Sequence, residues 1–144
     1  MESPSKTGAA RPLRVFVVEN HADTLKYLRM YLEQLGHAVR SARTMVEALR
    51  LLPSAECEVL ISDIGLPDGD GWELLRRAHL SPEVYAIAMS GFGMNADRLK
   101  SKEAGYRQHL LKPFDPCQLD AMLGEASQEL ARVKSGGVAI PDLG

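Results

Sequence analysis

The 144 residues suit one domain, and a content of 45% hydrophobic and 25% charged residues describes a chain that buries its own core without disulfide or metal staples. A net charge of -2 excludes the global basic field that would draw nucleic acid or an anionic membrane. No apolar run approaches the roughly 20 residues of a membrane span, and Cys57 and Cys117 stand in no metal or redox spacing. The expectation is a cytoplasmic chain with inert, semi-buried thiols and no nucleic-acid or membrane partner.

Met1 to Pro12 is small and polar and reads as a mobile arm. Leu13 to Val18 is an apolar, β-branched first strand ending on Glu19 and Asn20. Leu25, Leu28, Leu32 and Leu35 share one helical face, closed by Gly36. His37 to Ser41 is a short strand, and Thr44 with Glu47 has the capping-box spacing of a second helix that Pro53 helps to end. Glu58 to Ser62 is a buried strand that delivers Asp63 to a loop of Gly, Pro and Asp. Asp70 and Glu73 cap the third helix, in which Trp72 reads as partly buried packing.

Val84 to Met89 is a fourth strand ending on Ser90 and Gly91. Asn95 to Ala104 is a poor amphipath with Leu99 as its one large aliphatic, so this helix is expected to be loosely held. Arg107 to Leu111 is a fifth strand ending on Lys112 and Pro113. Asp115 and Pro116 open a last helix whose apolar stripe runs from Leu119 to Val133. The organisation expected is an arm over 1–12, a domain over 13–134 and a disordered tail over 135–144.

Five strands alternating with five helices predict an α/β fold, a doubly wound parallel sheet in the flavodoxin-like order 2-1-3-4-5 with helices on both faces. In that order strands 1 and 3 meet at the topological switch point, so Glu19, Asn20 and Asp63 converge, with Ser90 and Lys112 on the same edge. An acid delivered to a loop at the carboxyl end of a buried strand, where ligands of such sheets sit, is placed for chemistry.

The ordered motifs are Glu19-Asn20 after strand 1, Asp63 with Leu66-Pro67 and Gly71 behind it, Ser90-Gly91, and Lys112-Pro113-Phe114. On these the chain resembles the CheY-like receiver domains of two-component response regulators, over about Leu13 to Lys134. The resemblance implies a phosphoacceptor in a phosphorelay. Asp63 would take a phosphoryl group from a histidine kinase or phosphotransfer protein with Mg²⁺ as cofactor, held by Glu19, Asn20, Asp63 and the Gly65 carbonyl. Such a domain is a signalling switch that promotes only its own phosphorylation and dephosphorylation. Ser90 and residue 109 would form the switch. Output would pass to a protein partner through helix 4, strand 5 and helix 5, the surface of Asn95 to Ala104 and Gln118 to Val133, by a monomer or weak dimer.

Two positions depart from that family's pattern, and two more bear on the lifetime of a phosphoryl group. Asn20 stands where a second acid is usual, which removes one negative charge and predicts weaker Mg²⁺ binding. His109 stands where an aromatic switch residue is usual and can titrate near neutrality. Phe92 can shield an acyl phosphate from water, whereas Gly65 cannot. Asn20 and His109 motivate the alternative of a pseudo-receiver, a binding module that signals without phosphorylation. A flavin or nucleotide site is disfavoured because Glu19-Asn20-His21-Ala22-Asp23 replaces a Gly-rich phosphate loop. A metal role for His21 finds no second histidine at ligand spacing.

Overall fold

A computed structural model describes residues 11–91 and 95–139, with the side chains of 95–97 and 133–139 outside that description. Strands β1 (Arg14–Val18), β2 (Ala38–Ala42), β3 (Val59–Asp63), β4 (Tyr85–Ser90) and β5 (Gln108–Leu111) alternate with helices α1 (Ala22–Gln34), α2 (Met45–Leu51), α3 (Gly71–Ala78), α4 (Asn95–Ala104) and α5 (Pro116–Ala139). The five strands form one parallel sheet in the order 2-1-3-4-5, as the alternation predicts.

Alternation along each strand divides the core in two. Val15 and Val17 of β1, with Ile61 and Ile87, face Leu28 and Leu32 of α1 and Leu119 and Leu123 of α5. Phe16 and Val18, with Leu60, face Met45 and Ala48 of α2, Leu74 of α3 and Tyr106. β3 and β4 are buried along their whole length because helices cover both sides, which is why they read as unbroken apolar runs.

Local chemistry sets the helix ends. The Thr44 hydroxyl accepts from Glu47 N–H at 3.0 Å and Asp70 Oδ1 accepts from Glu73 N–H at 2.7 Å, so both expected caps form. Gly36 leaves α1 at φ +98°, a conformation that favours glycine. Asp68 adds a cap absent from the sequence reading: its two carboxylate oxygens accept from Met45 N–H at 2.7 Å and Val46 N–H at 2.9 Å. The loop behind Asp63 is thereby tied to the start of α2.

Three expectations need correction. Asp63 and Ser90 close their strands from inside the hydrogen-bonded ladder, pairing with Met89 and Leu111, because the sheet continues one residue past the apolar run. The second concerns α4, expected to be loosely held: Leu99 is 60% exposed, in line with that expectation, but another residue supplies a tie. That helix is tied down through Ser101, whose hydroxyl accepts from Trp72 Nε1–H at 3.0 Å. The third correction is at the C-terminus, where α5 runs on to Ala139, past the expected boundary at Lys134. The expected arm lies largely outside the described residues, as do 140–144 and Phe92. No described helix is long and apolar enough to cross a membrane.

Candidate functional site

The C-terminal ends of β1, β3, β4 and β5 bring Glu19, Asp63, Ser90 and Lys112 to one edge of the sheet. Glu19 follows β1 and is fully buried. Its N–H donates to the Ala42 carbonyl at 3.1 Å, which continues the β1 to β2 ladder and turns the carboxylate inward. Asp63 is 7% exposed. Lys112 joins them: its Nζ lies 2.7 Å from Asp63 Oδ2 and 2.7 Å from Glu19 Oε1. Both contacts pair the ammonium with a carboxylate oxygen at hydrogen-bond distance. Two buried acids thus share one cation.

The electrostatics follow. Burial pushes the Asp63 carboxyl above its ordinary range; Lys112 opposes that shift and the Glu19 carboxylate adds to it. Burial alone would lower the Lys112 ammonium, but Asp63 and Glu19 outweigh it and raise it instead. Asp63 Oδ1 has a looser partner, the Gly65 N–H at 3.3 Å.

Contacts that motif reading missed hold these groups in place. Arg43 donates through Nε at 3.1 Å and Nη2 at 2.8 Å to the Asn20 carbonyl, pinning the turn after β1. His21 N–H donates to Glu19 Oε2 at 3.0 Å, and its ring is an exposed neighbour of that oxygen. Phe114 packs at 5.6 Å from Tyr27 and 6.2 Å from Tyr31, ring centre to ring centre. Tyr31 also donates to the Pro116 carbonyl at 2.9 Å, so the turn carrying Lys112 is fastened to α1. Except for His21 and Glu19, these partners lie more than twenty residues apart in the chain, and no local pattern signals them.

Gly71 explains part of its own motif. A Cβ there would stand 2.7 Å from the Asp63 carbonyl oxygen, so only glycine lets α3 begin against the backbone of Asp63. Ser90 and His109 form the expected pair: Ser90 Oγ lies 2.7 Å from His109 Nε2, with both residues buried.

The donor set fits Mg²⁺. Glu19 and Asp63 already converge on one cationic nitrogen, and the Asn20 amide and Gly65 carbonyl are further hard oxygens of the kind Mg²⁺ takes alongside its waters. No cluster of three His, Cys, Asp or Glu side chains is found among the described residues.

A sequence model described as the response regulator receiver domain matches residues 15–124. The chain belongs to that family. Receiver domains are signalling modules of two-component systems, interact with histidine kinases or phosphotransfer proteins and with downstream effectors, and typically bind Mg²⁺. This receiver is 35% identical over 108 residues to an uncharacterized 14.6 kDa protein in the sodA1 3' region of Leptolyngbya boryana, covering 73% of this chain and 82% of that one. It is 33% identical over 109 residues to the KDP operon transcriptional regulatory protein KdpE of Escherichia coli, covering 76% of this chain and 48% of that one. The chain spans about half the length of the transcriptional regulators it matches.

Solved structures agree. The signal receiver domain of an HD domain-containing protein from Pseudomonas fluorescens Pf-5 superposes with a TM-score of 0.77 at 29% identity, over 84% of this chain and 98% of that one. A CheY-like receiver from Methanospirillum hungatei gives 0.76 at 28%, over 88% and 100%.

Proposed function

We propose that this receiver is a phosphoacceptor. Asp63 attacks the phosphorus of a phosphohistidine on a kinase or phosphotransfer protein. An Asp63 oxygen bonds to phosphorus as the phosphorus–nitrogen bond breaks, and the departing imidazole nitrogen leaves with the electron pair. The observation that carries this reading is Lys112 Nζ at 2.7 Å from both Asp63 and Glu19, a cation stationed where charge on a phosphoryl group would need neutralising. Oδ1, with its long 3.3 Å contact, is the freer oxygen for attack.

Glu19, Asn20, Asp63 and the Gly65 carbonyl would hold Mg²⁺, which when bound supplies charge neutralisation and template geometry for the transferring group. Asn20 in place of an acid weakens that binding. After transfer the Ser90 hydroxyl donates to a phosphoryl oxygen and gives up its contact with His109, so that His109 relays the state to α4, β5 and α5. Signalling runs through protein contacts on that face in the cytoplasm, by a monomer or weak dimer and without nucleic acid.

Intact mass after incubation with acetyl phosphate and Mg²⁺ tests the reading. The expected result is one phosphoryl adduct that is lost in Asp63→Ala. Absence of an adduct on the folded wild type favours the pseudo-receiver reading that Asn20 and His109 motivate.

A further inference from the structure

Tyr106 lies between α4 and β5 with 3% of its surface exposed. Its hydroxyl donates to the Gly71 carbonyl at 2.7 Å, and the Ser62 hydroxyl is a second polar neighbour of the phenol. Buried tyrosines ordinarily find a partner for the hydroxyl, so the informative fact is which partner this one takes.

Gly71 is the residue that leans on Asp63. Its N–H donates to the Ile64 carbonyl at 2.8 Å, and its α-carbon is so close to the Asp63 carbonyl that a Cβ would meet that oxygen at 2.7 Å. Ser62 donates to the same carbonyl at 3.0 Å. The Asp63 backbone is therefore gripped by Ser62 and Gly71, both of which adjoin the Tyr106 phenol. The phenol itself is anchored in the last turn of α4, since Tyr106 N–H donates to the Ser101 carbonyl at 2.9 Å. Trp72 Nε1–H to Ser101 Oγ at 3.0 Å is a second tie between α3 and α4, one that does not pass through Gly71.

We propose that Tyr106 is a positioning residue for phosphoryl transfer at Asp63: its hydroxyl clamps Gly71, and the turn from Ile64 to Gly71 then holds the Asp63 carboxylate in line beside Lys112. The inference rests on Asp63 being the phosphoacceptor. Tyr106 touches no reacting atom and acts only through Gly71 and Ser62. Because in-line attack is steep in geometry, a loosened turn costs rate and leaves donor binding alone.

The test follows adduct formation by intact mass on the full chain, over a range of acetyl phosphate concentrations with Mg²⁺. Tyr106→Phe keeps the ring and removes the hydroxyl. It is expected to lower the maximal rate roughly three- to tenfold, with the half-saturating donor concentration unchanged. Ser101→Ala breaks the other tie without touching Gly71, and its maximal rate is expected to stay within about twofold of wild type. The carbon chemical shift of the Asp63 carboxyl is expected to move in Tyr106→Phe and to stay in place in Ser101→Ala. If wild type forms the adduct and Tyr106→Phe matches its rate, the proposal is overturned. Equal slowing in the two variants also overturns it, by reducing Tyr106 to helix docking. No adduct on wild type removes the phosphoacceptor reading and this inference with it.

Discussion

The Ser90 hydroxyl and His109 Nε2 stand 2.7 Å apart in a buried pair that links the end of β4 to the middle of β5. In the proposed switch this hydroxyl is traded to the phosphoryl group, so transfer and readout are separable. Ser90→Ala is expected to keep adduct formation at Asp63 within severalfold of wild type while abolishing the phosphorylation-dependent shift of the His109 ring resonances. A ring shift that survives in Ser90→Ala would show that His109 responds by another route.

Asp63 predicts a pH dependence of stability. Its carboxyl is raised in the folded chain, so between the ordinary value of 3.8 and the higher folded value the folded state binds more protons than the unfolded state. Stability from this group therefore falls as pH rises through that window. Metal-free Asp63→Asn is expected to be more stable than wild type at neutral pH and to lose that part of the slope. Urea denaturation at several pH values checks both, and an Asp63→Asn variant less stable than wild type would contradict the burial argument.

His37 predicts the opposite slope. Its ring is buried, burial lowers its pKa below 6.5 with Asp120 opposing, and Nδ1 accepts from Leu13 N–H at 3.0 Å in the neutral form. Below about 6.5 the unfolded state binds the proton first, so this contribution is lost as pH falls toward the folded value. The difference in stability between wild type and His37→Asn is expected to shrink from pH 8 to pH 5, measured by the same titrations.

Gly71→Ala is expected to destabilise the fold by about 1–3 kcal/mol, the usual range for overpacking against a well-packed site. The added Cβ meets backbone, the Asp63 carbonyl, and cannot be relieved by a rotamer change. Adduct formation should fall with it. A variant as stable and as reactive as wild type would show that α3 can shift freely.

Cys117 is exposed, whereas burial pushes the Cys57 thiol up to about 11. Iodoacetamide near neutral pH is expected to label Cys117 and to spare Cys57 until denaturant is added, as read by peptide mapping. The thiols are thus unequal, where composition had suggested two of one kind.

The strand and helix alternation, both capping boxes, Gly36 and the convergence of Glu19, Asp63, Ser90 and Lys112 were legible in the residues, because each depends on local periodicity or on a strand end whose position the sheet order dictates. The exposure of Leu99 was not. Whether a lone leucine on α4 points inward depends on which face the neighbouring helix offers, and Trp72 meets the Ser101 side instead. Asp68 capping α2, Phe114 on the tyrosines of α1, and Arg43 on the Asn20 carbonyl were hidden for the same reason.

By itself the sequence determined a five-stranded α/β receiver and the identity of the groups at its edge, since hydrophobic period and chemical type are properties of short stretches. Only the tertiary structure decided how those groups are held. One lysine is shared between two buried acids, and a tyrosine 43 positions from Asp63 closes on the turn behind it. Those relations exist only once the sheet has brought distant strand ends within hydrogen-bond reach and excluded the water that would otherwise screen them.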